Sequence, residues 1–490
     1  MARISRKVLG FGAATIALAA CVTADAQAPR TATQITQREA QQGAQYHPQF
    51  LAEFGGALSG PQASYVEQVG KNIAVQSGLG NARDAFTVSL LNSPVNNAFA
   101  VPGGYIYTTR QLVTLMNSEA ELAAVLGHEV GHVAARHSQR RQQAATKNSL
   151  LGLGGAILSG ILFGDSEIGR FGQQLALQGS QMLTLKFSRE QELQADDLGI
   201  QYLGRAGYDR RAMGTVLASL AAQNALDARI AGRNASVPQW ASTHPDPASR
   251  VRSALSKAGN GGGVTNRDTF LTRIDGLLYG DDPQQGVIEG STFIHPVLRF
   301  AFTAPQGYYM TNGARAVSIQ GQGGGQAQLT GAAYNGNLES YVLQQFQALG
   351  GQNSQLRPTD MQRATINGLP AIYATARVNN GNAQVDVVVI GYEFSRDQAF
   401  HFAAIAPAGR VGTFDGMFRS MRRISQSEAG SVVPRRLQVV TVGRGDTVAS
   451  LSRRMAYDTA QEDRFRVLNA LSGGEALVPG QKVKLVVRAR

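Results

Sequence analysis

The stretch Ser118–Ser138, SEAELAAVLGHEVGHVAARHS, constrains this chain more than any other. Ser118 is followed three residues on by Glu121, the pattern of a capping box, so a helix should start here. Leu122, Val125, Leu126, Val130 and Val133 recur at helical spacing, and no proline interrupts them. His128 and His132 are four apart, so their rings project from one helix face, one turn apart. Glu129 lies between them. Two imidazoles on one face can bind zinc, and the glutamate is placed to deprotonate a zinc-bound water. A helix can also carry two histidines as ordinary hydrogen-bonded side chains. The H-E-x-x-H pattern therefore asks for a third ligand elsewhere in the chain.

Cys21 is the only cysteine. It lies far from the motif, which leaves a carboxylate or a third histidine as that ligand. Phe187–Tyr202, FSREQELQADDLGIQY, also reads as a helix, and Glu192, Ala195 and Asp196 form an E-x-x-A-D pattern on it. Glu192 and Asp196 share a face; one can bind zinc while the other orients a ligating imidazole. Standing alone, such a pair would be an ordinary solvated helix face.

Together these blocks resemble the gluzincin metallopeptidases of the HtpX and CAAX-prenyl-protease family, especially its exported bacterial BepA-like members. The matching residues are Asn97-Ala98-Phe99-Ala100, Pro102-Gly103-Gly104, His128-Glu129-x-x-His132, Ser188-Arg189-Glu190-x-Glu192-x-x-Ala195-Asp196, and Thr243-His244-Pro245 with Arg250 six residues after His244. The resemblance implies His128, His132 and Glu192 as ligands of one zinc ion and Glu129 as general base and acid. It implies Asp196 as the partner of a ligating histidine, and His244 as a residue near the metal. There His244 would either occupy the open coordination position as a latency switch or stabilise the oxyanion, with Arg250 anchoring its loop. His137 lies outside the motif and reads as an exposed helix residue. Tyr105-Ile106-Tyr107 reads as an edge strand that pairs with substrate backbone.

The chain departs from those relatives as well. The spanning helices of the integral-membrane members are absent, and an α+β region stands where BepA-like members carry helical repeats. The fold class expected is α+β multidomain. A mainly helical metallopeptidase domain with a small sheet spans 46–258. An α+β domain of unknown role spans 281–425. A small βααβ module spans 437–490. Glycine-rich Ser256–Asn266 and Ser425–Arg436 read as linkers. His295 and His401 read as structural.

The last module resembles LysM, which binds N-acetylglucosamine polymers. The matching parts are Gly445-Asp446-Thr447, Leu468-Asn469 and Pro479-Gly480-Gln481. Peptidoglycan is thus an implied partner of 437–490; the alternative is an electropositive packing module that binds no sugar. At the other end, Arg3, Arg6 and Lys7 precede the apolar run Val8–Ala20, a signal peptide over 1–20. Leu18-Ala19-Ala20-Cys21 resembles a lipoprotein box, giving a membrane anchor on Cys21. The alternative is cleavage after Ala24-Asp25-Ala26 and a soluble periplasmic protein. Residues 21–45 read as a flexible tether. Leu150–Gly164 is apolar but too short to span a bilayer, and reads as a buried helix or as a flap over the cleft or membrane. In an exported protein the net charge of +12 points to anionic lipid or wall and not to nucleic acid.

The expectation is a zinc endopeptidase of the bacterial envelope, cutting misfolded or stalled proteins. Two alternatives remain: a zinc peptidoglycan hydrolase, and a wall-tethered chaperone or scaffold without catalysis. The intact Glu129 speaks against the second, since a binder needs no base there.

Overall fold

The computed structural model describes residues 33–141, 187–230, 244, 247–321, 324–350, 356–380 and 383–489. The expected signal, Cys21 with both cleavage alternatives, and Leu150–Gly164 lie outside them. None of the described helices is long and apolar enough to cross a membrane.

The first helix, α1 (Gln37–Glu53), overlaps the expected tether, which therefore does not extend to residue 45. Thr36 starts it with a full capping box. Its hydroxyl accepts from the Glu39 amide, and the Glu39 carboxylate accepts from the Thr36 amide at 2.7 Å. The helix is held by apolar contact. Phe50 and Phe54 meet Phe99 at ring-centroid distances of 5.5 and 5.1 Å. A Cβ at Gly43 would come within 2.3 Å of the Pro102 carbonyl, so the close approach needs glycine.

The surface that α1 covers is a three-stranded sheet of β1 (Thr87–Leu91), β2 (Ala98–Val101) and β3 (Tyr105–Thr109), after α2 (Pro61–Ala74). The order is β1-β3-β2. β2 and β3 form a hairpin across Pro102-Gly103-Gly104, but β1 takes the other side of β3 in parallel, Thr87 opposite Tyr105. Tyr105-Ile106-Tyr107 is therefore central, and β1 and β2 are the two edges. The hairpin is local and legible; the long-range parallel pairing that buries β3 is not.

Helix α3 (Arg110–Leu115) leads to α4 (Glu119–Ala134), which carries the two histidines and is buried along nearly its whole length. The Ser118 hydroxyl caps α4 by accepting from the Glu121 amide. Glu121 does not return the bond to Ser118 as a full capping box requires; its carboxylate accepts from the Asn117 amide at 2.6 Å. Helix α5 (Arg189–Arg205) packs against α4 through glycine. A Cβ on Gly131 would lie 3.1 Å from the Ala195 carbonyl, and one on Gly199 would lie 3.2 Å from the His128 amide nitrogen. This contact brings the acidic face of α5 against the imidazoles.

Helices α6 (Ala212–Ile230), α7 (Pro247–Ala258) and α8 (Arg267–Ile274) complete the helical part. The segment 259–266 does not close a domain as a free linker. Val264 bridges to Tyr208, Asn266 donates to Glu119, and Phe270, Leu271 and Ile274 of α8 enter the same core as α4. Two sheets follow. Strands β5 (Val287–Glu289), β6 (Thr292–His295), β7 (Phe300–Thr303) and β15 (Arg422–Arg423) make a four-stranded sheet; β8 (Tyr308–Asn312), β9 (Ala316–Gly321), β10 (Gln326–Ala332), β11 (Asp360–Ile366), β12 (Leu369–Asn380), β13 (Ala383–Ser395) and β14 (Gln398–Pro407), with one helix between β10 and β11, make a seven-stranded one. Here His401 is buried with its Nδ1 2.8 Å from the Tyr341 hydroxyl, and the Leu298 amide donates to His295 Nδ1.

The C-terminal elements run strand, helix, helix, strand: β16 (Arg435–Thr441), α9 (Val448–Ser452), α10 (Gln461–Leu468) and β17 (Lys482–Arg488). They are not a separate bead. Leu437, Leu451, Phe465, Leu468, Val483 and Leu485 belong to one continuous core with α4 and α8. β16 also pairs with β4 (Leu278–Tyr279). Lys484 is fully buried, and its ammonium donates to the carbonyls of Thr114, Leu115 and Met116 at 2.8, 3.2 and 2.6 Å. It thus satisfies the carbonyl end of α3.

Replacing Lys484→Met should lower unfolding free energy by roughly 2–4 kcal/mol, because buried carbonyls lose their donor; the midpoint of urea unfolding reads this. Glu39 gives a pH-dependent test. Burial would raise its pKa, but the Thr36 hydroxyl and amide and the Arg136 guanidinium outweigh burial and hold it below its ordinary value. Its contribution is therefore present at neutral pH and lost as pH falls through the folded value. Glu39→Gln should cost about 1 kcal/mol at neutral pH, and the difference from the parent should vanish on acidification below the carboxylate range.

Candidate metal centre

His128, His132, Glu192 and His244 each place one ligand-type atom so that all four lie within 4.8 Å of one another, and all four residues are buried. Each imidazole of α4 has its second nitrogen occupied. His128 Nδ1 is 2.9 Å from Asp196 Oδ1, and His132 Nδ1 is 2.7 Å from His137 Nδ1. The two Nε2 atoms consequently face each other at 2.9 Å. Glu192 stands across from them, its oxygens 3.6 Å from His128 Nε2 and 3.5 Å from His132 Nε2. His244 closes the fourth side, with Nδ1 3.1 Å from both Glu192 oxygens and 3.3 Å from His128 Nε2.

Arg250 on α7 ties this arrangement together. Its Nη2 and Nε donate to the two Asp196 oxygens at 2.6 and 2.8 Å, and its Nη1 lies 2.7 Å from Glu192 Oε2. The paired carboxylates hold the guanidinium charge against the cost of burial. Burial alone would raise the Asp196 carboxyl, but Arg250 and His128 bring it down to about 2. Glu192 is likewise held well below its ordinary range: burial opposes this, and His244, His132 and His128 outweigh it. Glu129 differs. Burial raises its pKa, and His244 and His128 do not cancel the rise. Neither of its oxygens has a hydrogen-bond partner, with His244 Nε2 at 3.5 Å.

A divalent cation fits these residues. Asp196 and Glu192 are both held ionised against one guanidinium, a negative charge that a cation would offset. Two imidazole nitrogens, with their other nitrogens engaged, face the same small space 2.9 Å apart, where a cation could accept both lone pairs. The donor set is nitrogen and oxygen without sulfur, a set that zinc accepts.

Every residue singled out for the site from the sequence is placed here: His128, Glu129, His132, Glu192, Asp196, His244 and Arg250. His137 is corrected. It is fully buried, not an exposed helix residue, and bridges His132 to Gln194. Arg136 takes a left-handed conformation, φ 52°, after the end of α4, and so turns His137 back toward the ring it contacts. A continuous helix would have pointed position 137 elsewhere, so helical spacing carried no signal for it. Phe187, stacked 3.9 Å from the His132 ring, was also missed as a site residue.

Comparison with known proteins agrees with this arrangement. Residues 61–258 match peptidase family M48. They form a peptidase family M48 domain. Among similar proteins is the "Beta-barrel assembly-enhancing protease" of Yersinia pestis, 32% identical over 197 residues, which are 40% of this chain and 38% of that one. The mitochondrial metalloendopeptidase of Arabidopsis thaliana is 38% identical over 136 residues, 28% of this chain and 26% of its own. Metalloprotease LoiP of Escherichia coli K12 is 32% identical over 125 residues, 26% of this chain and 47% of its own. The chain thus matches less than half the length of each of these relatives.

Proposed function

We propose that this chain is a zinc-dependent endopeptidase of the bacterial envelope, held latent by His244, that cuts misfolded or stalled proteins. The buried four-residue cluster, with Glu129 beside it making no hydrogen bond, carries the proposal. The name of the Yersinia relative and the charged, apolar start of the chain support an envelope setting. The run Leu18-Ala19-Ala20-Cys21 supports attachment through a lipid on Cys21.

Zinc bound at the cluster would act as a Lewis acid on the scissile carbonyl and lower the pKa of the attacking water to about 7. The raised pKa of Glu129 suits it to take that water's proton and deliver it to the leaving amine. β2 is an edge strand beside the cluster, so it, and not the central β3, can pair there with an extended peptide. A small cavity of about 20 Å³ lies beside His132, walled by Ala100, Val101, Pro102 and Val133. His244 meets both parts of this machinery. Its Nδ1 belongs to the cluster, and its Nε2 lies 3.3 Å from the Ala98 carbonyl on β2. That placement favours the latency role over the oxyanion role. The loops 443–447 and 472–480 are largely exposed, which supports a secondary contact with wall glycan.

Glu129→Gln should retain stoichiometric zinc by metal analysis and lose casein cleavage by about 100-fold or more; undiminished cleavage would refute the assignment. His244→Ala should raise casein cleavage, whereas a fall would return His244 to the oxyanion role. Purified sacculi should remain uncut in the same assays.

A further inference from the structure

The H-E-x-x-H motif accounts for His132 but not for what holds its ring. His137 does so through a relay that crosses from the end of α4 to α5. His132 Nδ1 lies 2.7 Å from His137 Nδ1, and His137 Nε2 lies 3.0 Å from Gln194 Oε1. The Gln191 side chain also donates to the His137 carbonyl at 3.2 Å, fixing its backbone to α5. Phe187 lies flat against the His132 ring at 3.9 Å with an interplanar angle of 18°.

The direction of the relay follows from its far end. Gln194 Oε1 also faces the Arg140 guanidinium at 3.4 Å, a donor, which assigns the amide oxygen to that side. An amide oxygen only accepts, so His137 Nε2 carries the hydrogen. A neutral His137 then has only a lone pair at Nδ1. His132 Nδ1 must therefore be the donor, and its Nε2 is left as a lone pair aimed into the cluster. A wrong tautomer at any link would put two hydrogens or two lone pairs within 2.7 Å.

We propose that His137 is a positioning residue that locks His132 in its Nδ1–H tautomer and orientation, presenting Nε2 to the metal. The inference rests on the metal-centre reading above. It also explains an asymmetry between the ligands. His128 leans on a carboxylate of α5 directly, while His132 reaches α5 through a neutral imidazole and an amide. His132 is the less electron-rich of the two and depends on ring orientation more than on charge.

Two replacements separate this role from simple packing. His137→Phe keeps a ring without an acceptor; His137→Asn puts an oxygen near the lost Nδ1. Competition with a chromophoric chelator should show zinc held about 10–100-fold more weakly by the phenylalanine variant. The asparagine variant should recover most of that loss, while both unfold near the parent Tm in metal-free form. Equal zinc affinity for parent and His137→Phe would overturn the proposal, as would equal losses in both variants. If the phenylalanine variant does not fold, nitrogen-15 spectra of the parent's imidazoles decide. Protons on His132 Nδ1 and His137 Nε2 are expected, and the reverse tautomers would overturn it. A parent that binds no zinc would instead sink the metal-centre reading, and the metal-free tautomers would still test the relay.

Discussion

The site depends on how closely α4 and α5 approach. Neither Gly131 nor Gly199 has a side chain, so the Ala195 carbonyl and the His128 amide lie in what would otherwise be Cβ contact. Packed interiors are dense, so a methyl group at either position would move a helix and not just a side chain. Any such shift would separate the Glu192 carboxylate from the imidazoles it faces. The contact also concentrates negative charge where water is excluded. Arg250 makes this tolerable by engaging Asp196 and Glu192 together from α7, and α7 packs on both α5 and α6. One guanidinium thereby ties α7 to α5, and breaking that network would leave carboxylates buried without a counter-charge.

The rest of the chain bears on this core more than its order suggests. The C-terminal strand–helix–helix–strand unit begins at Arg435, far beyond the family match that ends at residue 258, yet it fills the far side of the same core. Lys484 enters under the turn between α3 and α4, where Met116 and Asn117 lead into the helix carrying the histidines. Glu121, in the first turn of α4, accepts from Asn117 and from the Thr215 hydroxyl on α6. The start of α4 is thus held by α6 and by the last strand of the chain at once. The central sheets, in contrast, build hydrophobic clusters of their own.

The sequence exposed what is local or chemically rare. His128 and His132 at helical spacing, the E-x-x-A-D pattern and the Pro102-Gly103-Gly104 turn are each readable in a few residues, and the structure brings the first two together in one buried cluster. What escaped depends on distant partners or on a single unusual backbone angle. β3 looks like an outer strand until β1 pairs with its free side. Ser256–Asn266 looks like a linker until Val264 meets Tyr208. Lys484 looks like an ordinary strand lysine until a core from elsewhere closes over it. His137 looks exposed because helical periodicity continues through Arg136 in the sequence but stops there in the backbone.

The position of His244 gives the proposed latency a physical basis. One ring uses its two nitrogens on two different parts of the machinery, the ligand cluster through Nδ1 and the β2 edge through Nε2. A peptide pairing with β2 would offer a backbone amide to the Ala98 carbonyl, the same acceptor that His244 contacts. Once that bond is exchanged, His244 keeps only its contacts to the cluster and to Glu129, and its hold on the site weakens. Departure of the ring would open the fourth position, uncover the strand edge and release Glu129 in one movement. Substrate docking and unmasking would then share a single free-energy change, so a chain presented in extended form would drive its own admission, while a folded domain that cannot align with β2 would leave the ring in place.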